Sequence, residues 1–143
     1  MLETKRLNRL ELNELINNAP KTEARNLLRI TDNLGINPYD FFDKYAVEHS
    51  GIINNRPIYM ACIIPNAKKE YELWTIVNSD VKEQFSLFKI SKRVLMQWLG
   101  KYKEIYATME KNNLKNMRWT ERLGFKKTRE NNNLITYLLG INL

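Results

Sequence analysis

The chain has 143 residues, 43% of them hydrophobic, with one cysteine, one histidine and a net charge of +7. That size and apolar content suit a single globular domain over residues 1–143, large enough to bury its core without staples, and make a second domain unnecessary. Cys62 has no cysteine to pair with, no apolar run is long enough for a membrane helix, and the acidic residues from position 3 break up any secretory signal, so a soluble protein retained inside the producing cell is expected.

Leu2 to Leu7 reads as a short opening strand, interrupted by Lys5 and Arg6. Asn8 to Asn17 carries Leu10, Leu12, Leu15 and Ile16 at helical spacing and stops at Asn17-Asn18-Ala19-Pro20. Thr22 supplies a capping residue for a second helix, whose apolar residues Leu27, Leu28, Ile30 and Leu34 run up to Gly35. Pro38 opens a third, with Phe41 and Phe42 as core aromatics. From Ser50 the apolar period changes. Gly51 to Ile53 and Pro57 to Pro65 form two antiparallel strands around Asn54-Asn55-Arg56, and Tyr71 to Val77 is a third, apolar on both faces and therefore central. Ser91 to Tyr102 is a long amphipathic helix with Ser91 as its cap; Val81 to Phe88 reads either way. Trp74, Trp98 and Trp119 all fall on apolar faces and are expected in the core.

The most informative stretch is Glu104 to Phe125. Ile105, Ala107 and Met109 alternate with Tyr106 and Thr108 as in a strand, Asn112 and Asn113 break it, and Leu114, Met117, Trp119 and Leu123 follow at helical spacing. Gly124 then ends the helix, since it enters the left-handed region without steric penalty, and Phe125 begins the next strand. Lys126 to Glu130 and Leu134 to Leu139 make a closing hairpin, with Asn131 to Asn133 expected to supply its positive φ angles.

The segment from Asn113 to Phe125 resembles the Asn-x-x-Ala-x-x-Leu-Tyr-x-x-x-Gly-Phe signature of GNAT-type N-acetyltransferases, matching its Asn, Gly and Phe. The element order read from periodicity, β-α-α-α-β-β-β-α-β-α-β-β, agrees with it. Both lead to an α/β (α+β) GNAT-like fold, a mixed and mostly antiparallel sheet flanked by helices. A second likeness spans about residues 35 to 140. Leu73 to Asp80, the basic helix, Lys101-Tyr102-Lys103, Asn113 and Gly124-Phe125 are together similar to a small internal virion or assembly protein family of T7-like podoviruses. This resemblance implies a bacteriophage origin, virion proteins as partners, and localisation in the host cytoplasm or the virion.

The GNAT resemblance implies acetyl-CoA as cofactor, its pyrophosphate held by backbone N–H groups at a helix start, where Gly allows close approach. Here no glycine lies between Val77 and Leu99, and Phe88, Lys89 and Ile90 are expected to crowd the phosphates. Ser91, Lys92 and Arg93, with Asn113, are the candidate cofactor-binding residues, offering a hydroxyl, N–H groups and two cations. The candidate bases are Glu72 and Asp80. Thr120 stands where many members have the acid tyrosine, and its hydroxyl has an intrinsic pKa far above the phenol's ~10; Tyr106, Tyr137 or water would then substitute. His49, beside a strand start, reads as a surface or capping residue, and no His/Cys cluster has metal-ligand spacing.

Residues 82 to 129 hold thirteen Lys or Arg against four Glu, a face suited to an anionic partner. Three readings follow. The absent glycine loop and Thr120 favour a catalytically degenerate GNAT-fold protein with a structural or assembly role in the virion. The alternatives are a divergent acetyl-CoA-dependent N-acetyltransferase acting on an unknown amine and a basic nucleic-acid-binding module.

Overall fold

A computed structural model describes residues 2–140. Strand β1 (Glu3–Lys5) leads into helix α1 (Arg9–Asn17), whose start is fixed by a reciprocal capping box: Asn8 Oδ1 accepts from the Glu11 N–H, and Glu11 Oε1 accepts from the Asn8 N–H, both at 2.9 Å. Helix α2 (Lys21–Leu34) begins one residue before the expected Thr22, with Pro20 at the cap position and no side-chain cap, and ends at left-handed Gly35. Helix α3 (Pro38–Tyr45) is capped by Asn37. Strands β2 (Glu48–Ile53), β3 (Pro57–Pro65) and β4 (Tyr71–Val77) follow as a meander.

Helix α4 spans Gln84–Tyr102, seven residues longer at its start than the sequence suggests. Ser91 is therefore not a cap. It is buried in the third turn, where its hydroxyl donates to the Leu87 carbonyl at 2.7 Å, the back-bond by which a helix interior absorbs a serine. Strand β5 (Glu104–Glu110), helix α5 (Leu114–Arg122), β6 (Lys126–Glu130) and β7 (Leu134–Gly140) complete the chain. Gly124 takes φ +106° after α5. The asparagines of the last hairpin do not adopt positive φ; instead Asn131 Oδ1 accepts from the Asn133 and Leu134 N–H groups. A side-chain-made turn replaces the backbone one.

Among the described residues seven strands are ordered β1-β2-β3-β4-β5-β7-β6, with β4–β5 parallel and the other pairs antiparallel. This is the α/β arrangement and element order expected of a GNAT-like fold. Strand β3 divides its side chains between two cores. Tyr59, Ala61 and Ile63 face the cluster beneath α4 and α5, while Met60, Cys62 and Ile64 face the one beneath α1, α2 and α3. Burial on both faces explains why β3 reads as an almost unbroken apolar run. Cys62 is wholly buried, and burial pushes its thiol far up, so it is a core side chain rather than a nucleophile.

Candidate functional site

Strand β4 pairs with β3 at seven positions but with β5 only at Glu72↔Tyr106. Beyond that position the two strands part. The opening is a groove of about 780 Å³ whose walls are β4, the outer half of β5, one side of α2, the start of α4 and one side of α5. Parallel strands of a continuous sheet would bond along their length, so the divergence leaves the facing edges of β4 and β5 available to an extended ligand.

Trp74 and Trp119 line this groove half-buried, whereas Trp98 lies in the core as expected. Trp119 meets Phe88 edge-on at 5.3 Å, and Arg122 covers the Phe88 ring at 4.8 Å. Phe88 is thus part of the packing between α4 and α5. Because α4 starts at Gln84, Phe88, Lys89 and Ile90 lie in its second turn, not at the N-terminus, and the crowding anticipated there does not arise. The helix start is Glu83-Gln84-Phe85-Ser86, with no side-chain cap. Its first N–H groups remain available to an anion, though the preceding loop, Asn78 to Glu83, has no glycine.

The expected site residues divide. Glu72, Asn113 and Thr120 line the groove; Asp80, Ser91, Lys92 and Arg93 do not. Glu72 sits at the closed end, accepting from Asn66 Nδ2 at 3.1 Å. Asn113 caps α5, its Oδ1 accepting from the Asn116 N–H. Thr120 is buried, and its hydroxyl donates to the Asn116 carbonyl at 2.8 Å, which commits the proton that an acid would have to give. Asp80 is exposed in the β4–α4 loop, and Lys92 and Arg93 are exposed on the third turn of α4. The two suggested tyrosines also lie elsewhere: Tyr137 is buried against Glu121, donating to it at 2.7 Å and pushed up to about 12, and Tyr106 lies under the Arg129 guanidinium.

Sequence reasoning missed Glu23. It projects from the first turn of α2 into the groove, its Oε2 is buried, and that oxygen has no hydrogen-bond partner among the described residues. Burial holds its carboxyl above the ordinary carboxylate range, with only a weaker opposing pull from Lys115. Nothing in Thr22-Glu23-Ala24-Arg25 distinguishes it from a solvated helix-start glutamate; its environment is created by how α2 crosses the sheet.

No protein-family model matches the chain, and no curated protein matches it in sequence. Solved structures match over its whole length. The ribosomal-protein-S18-alanine N-acetyltransferase of Escherichia coli aligns over 99% of this chain and 94% of its own at a TM-score of 0.68 and 13% identity. A GNAT-family acetyltransferase of Bacillus anthracis aligns over 97% and 94% at 0.68 and 13%. The spermidine N-acetyltransferase of Vibrio cholerae, solved with CoA and spermine, aligns over 99% and 96% at 0.66 and 14%. At these identities the likeness establishes the fold: the chain has a GNAT fold.

Proposed function

We propose that the protein is an acetyl-CoA-dependent N-acetyltransferase. The observation that carries this reading is the parting of β4 and β5 after one ladder position, which opens a groove long enough for an extended, thioester-bearing arm between two strand edges. The residues fit such a cofactor in two respects. The unpaired edge of β4 from Trp74 to Val77 offers backbone donors and acceptors to an amide-containing chain. The uncapped start of α4 offers N–H groups and the positive end of a nineteen-residue helix to a diphosphate. When bound, acetyl-CoA supplies the acetyl group as an activated thioester.

The chain's own contribution is placement. The half-buried walls Trp74 and Trp119 exclude water from the middle of the groove, and Asn113 fixes the α5 start that forms its far wall. Asp80, Ser91, Lys92 and Arg93 have no part in this reading, since none lines the groove. The substrate is an amine. The fold neighbours that act on S18 alanine and on spermidine support this class without choosing between its members.

Thermal unfolding with and without millimolar acetyl-CoA tests the reading, with ATP as the control for unspecific phosphate binding. A ligand at 100 times its Kd adds about 2.7 kcal/mol to the native state, a shift of several degrees at this size. A shift with acetyl-CoA alone is expected, and loss of that shift when Gln84 and Phe85 are both replaced by proline would locate the diphosphate. Equal responses to acetyl-CoA and ATP, or none, would overturn the reading and favour virion proteins or nucleic acid as partners.

A further inference from the structure

The charge of the groove runs against the charge of the protein. In a chain of net charge +7, the groove's charged lining among the described residues is three carboxylates, Glu23, Glu72 and Glu110, and one cation, Lys115. The basic residues of α4, α5 and β6 are instead mostly on exposed surface. A groove of one sign between low-dielectric walls concentrates ligands of the opposite sign.

Among the three carboxylates, Glu23 differs in its surroundings. Glu72 is satisfied by Asn66 Nδ2, and Glu110 lies at the outer end of β5. Among the described residues two carboxylates, Glu23 and Glu83, have a buried oxygen with no partner, and of these Glu23 alone lines the groove; Glu70, Glu48 and Glu11 are instead paired with Arg129, Lys101 and Lys5. A desolvated carboxylate without a donor is unfavourable. Lys115, on an exposed stretch of α5, attracts it through space without coming within ion-pair distance. The arrangement is left incomplete by the protein and would be completed by an N–H-bearing cation in the groove.

We infer that Glu23 is the ammonium-binding residue of the groove, and that the ligand it selects is a primary alkylammonium. The inference rests on the transferase reading for calling that ligand the substrate, but not for its binding. Burial favours the neutral form of the Glu23 carboxyl, and a cation bound beside it would favour the charged form again. Glu72 and Glu110 contribute to the field without direct contact.

The test is titration of the isotope-labelled protein, with coenzyme A present, against n-butylammonium and, as a neutral isostere, n-butanol, followed through backbone amide shifts. Saturable shifts at Glu23, Asn26 and Lys115 with n-butylammonium, and not with n-butanol, are expected. Glu23→Gln should weaken that binding at least tenfold, and Glu72→Gln should change it less than threefold. Equal n-butylammonium affinity in wild type and Glu23→Gln, or no saturable shift in wild type, would overturn the inference. Amide shift dispersion and the acetyl-CoA melting shift, both expected to survive in Glu23→Gln, show that the variant is folded with an intact groove. Loss of acetyl-CoA binding in the wild type would instead overturn the transferase reading, leaving the cation result to stand or fall by itself.

Discussion

Strand β4 has two neighbours and treats them oppositely. Against β3 it forms seven ladder positions; against β5 it forms one. On the β3 side the alternating side chains fill both cores and the backbone is fully engaged, so stability is concentrated there. On the β5 side the backbone is withheld from pairing and half-buried side chains face an open groove. Binding capacity is located where the sheet gives up its own hydrogen bonds, and the β3 seam makes that affordable.

The largest test of this contrast is a pair of truncations. Ile63, on β3, is wholly buried, and Ile63→Ala should cost about 2–5 kcal/mol, the range for a large aliphatic residue whose cavity cannot collapse. Val77, on β4, is half-buried at the groove wall, and Val77→Ala should cost about 1 kcal/mol. Urea denaturation measures both. Equal losses would mean that the β5 side is packed as tightly as the β3 side.

A smaller effect separates the two regions by pH. His49 lies in the paired region on β2, opposite Cys62, stacked on Phe42 with both ring nitrogens buried and, among the described residues, unpartnered. Burial, aided by Arg6, lowers it from 6.5 to about 4, while the pull of Asp43 acts the other way. The unfolded chain therefore takes up the proton first, and stability falls as pH drops from about 6.5 towards 4. Glu23, over the groove, has the opposite sign. Its folded carboxyl is held above 4.5, so its burial destabilises the native state at neutral pH and that penalty is relieved as pH falls. His49→Gln should flatten the acid limb of a stability–pH curve between 6.5 and 4.5, and Glu23→Gln should steepen it while raising stability at pH 7. Superimposable curves for wild type and His49→Gln would remove His49 as the cause.

The legibility of the two regions differs for the same reason. The capping pair Asn8 and Glu11, the apolar run of β3 and the Asn113-to-Gly124 unit are local patterns, and the element order follows from them. The start of α4 was obscured because Ser91 has the side chain of a cap while Phe85, 74% exposed, breaks the apolar face of the first turn. Trp74 and Trp119 carry the apolar signature of core residues whether they meet a protein neighbour or a groove. Glu23 had no local signal at all, since its burial comes from α2 lying against the open side of a sheet more than forty residues later in the chain. Patterns in sequence report which side chains leave water, not which cavities they leave between them.

The smallest effect concerns what stops the parting of β4 and β5 from spreading. At its closed end Arg129 of β6 forms a two-pronged pair with Glu70, both contacts at 3.1 Å, and its guanidinium covers the ring of Tyr106, the β5 residue of the single ladder position. Asn66 ties Glu70 to Glu72, the β4 residue of that position. The cluster thus spans from the far edge of the sheet to the β3–β4 turn and brackets the one place where the two halves are bonded. Because the pair is partly exposed, Arg129→Ala should lower global stability by only about 0.2–1 kcal/mol. Its local consequence should be larger. Amide exchange at Leu73 and Tyr106 should quicken several-fold while exchange in the middle of β3 stays unchanged, and acetyl-CoA affinity should fall as the groove loses its fixed width. Uniformly quickened exchange would reduce Arg129 to an ordinary surface ion pair. Unchanged exchange at both seams would show that the single ladder position, with the Ile105 and Leu73 packing behind it, holds the closed end without help.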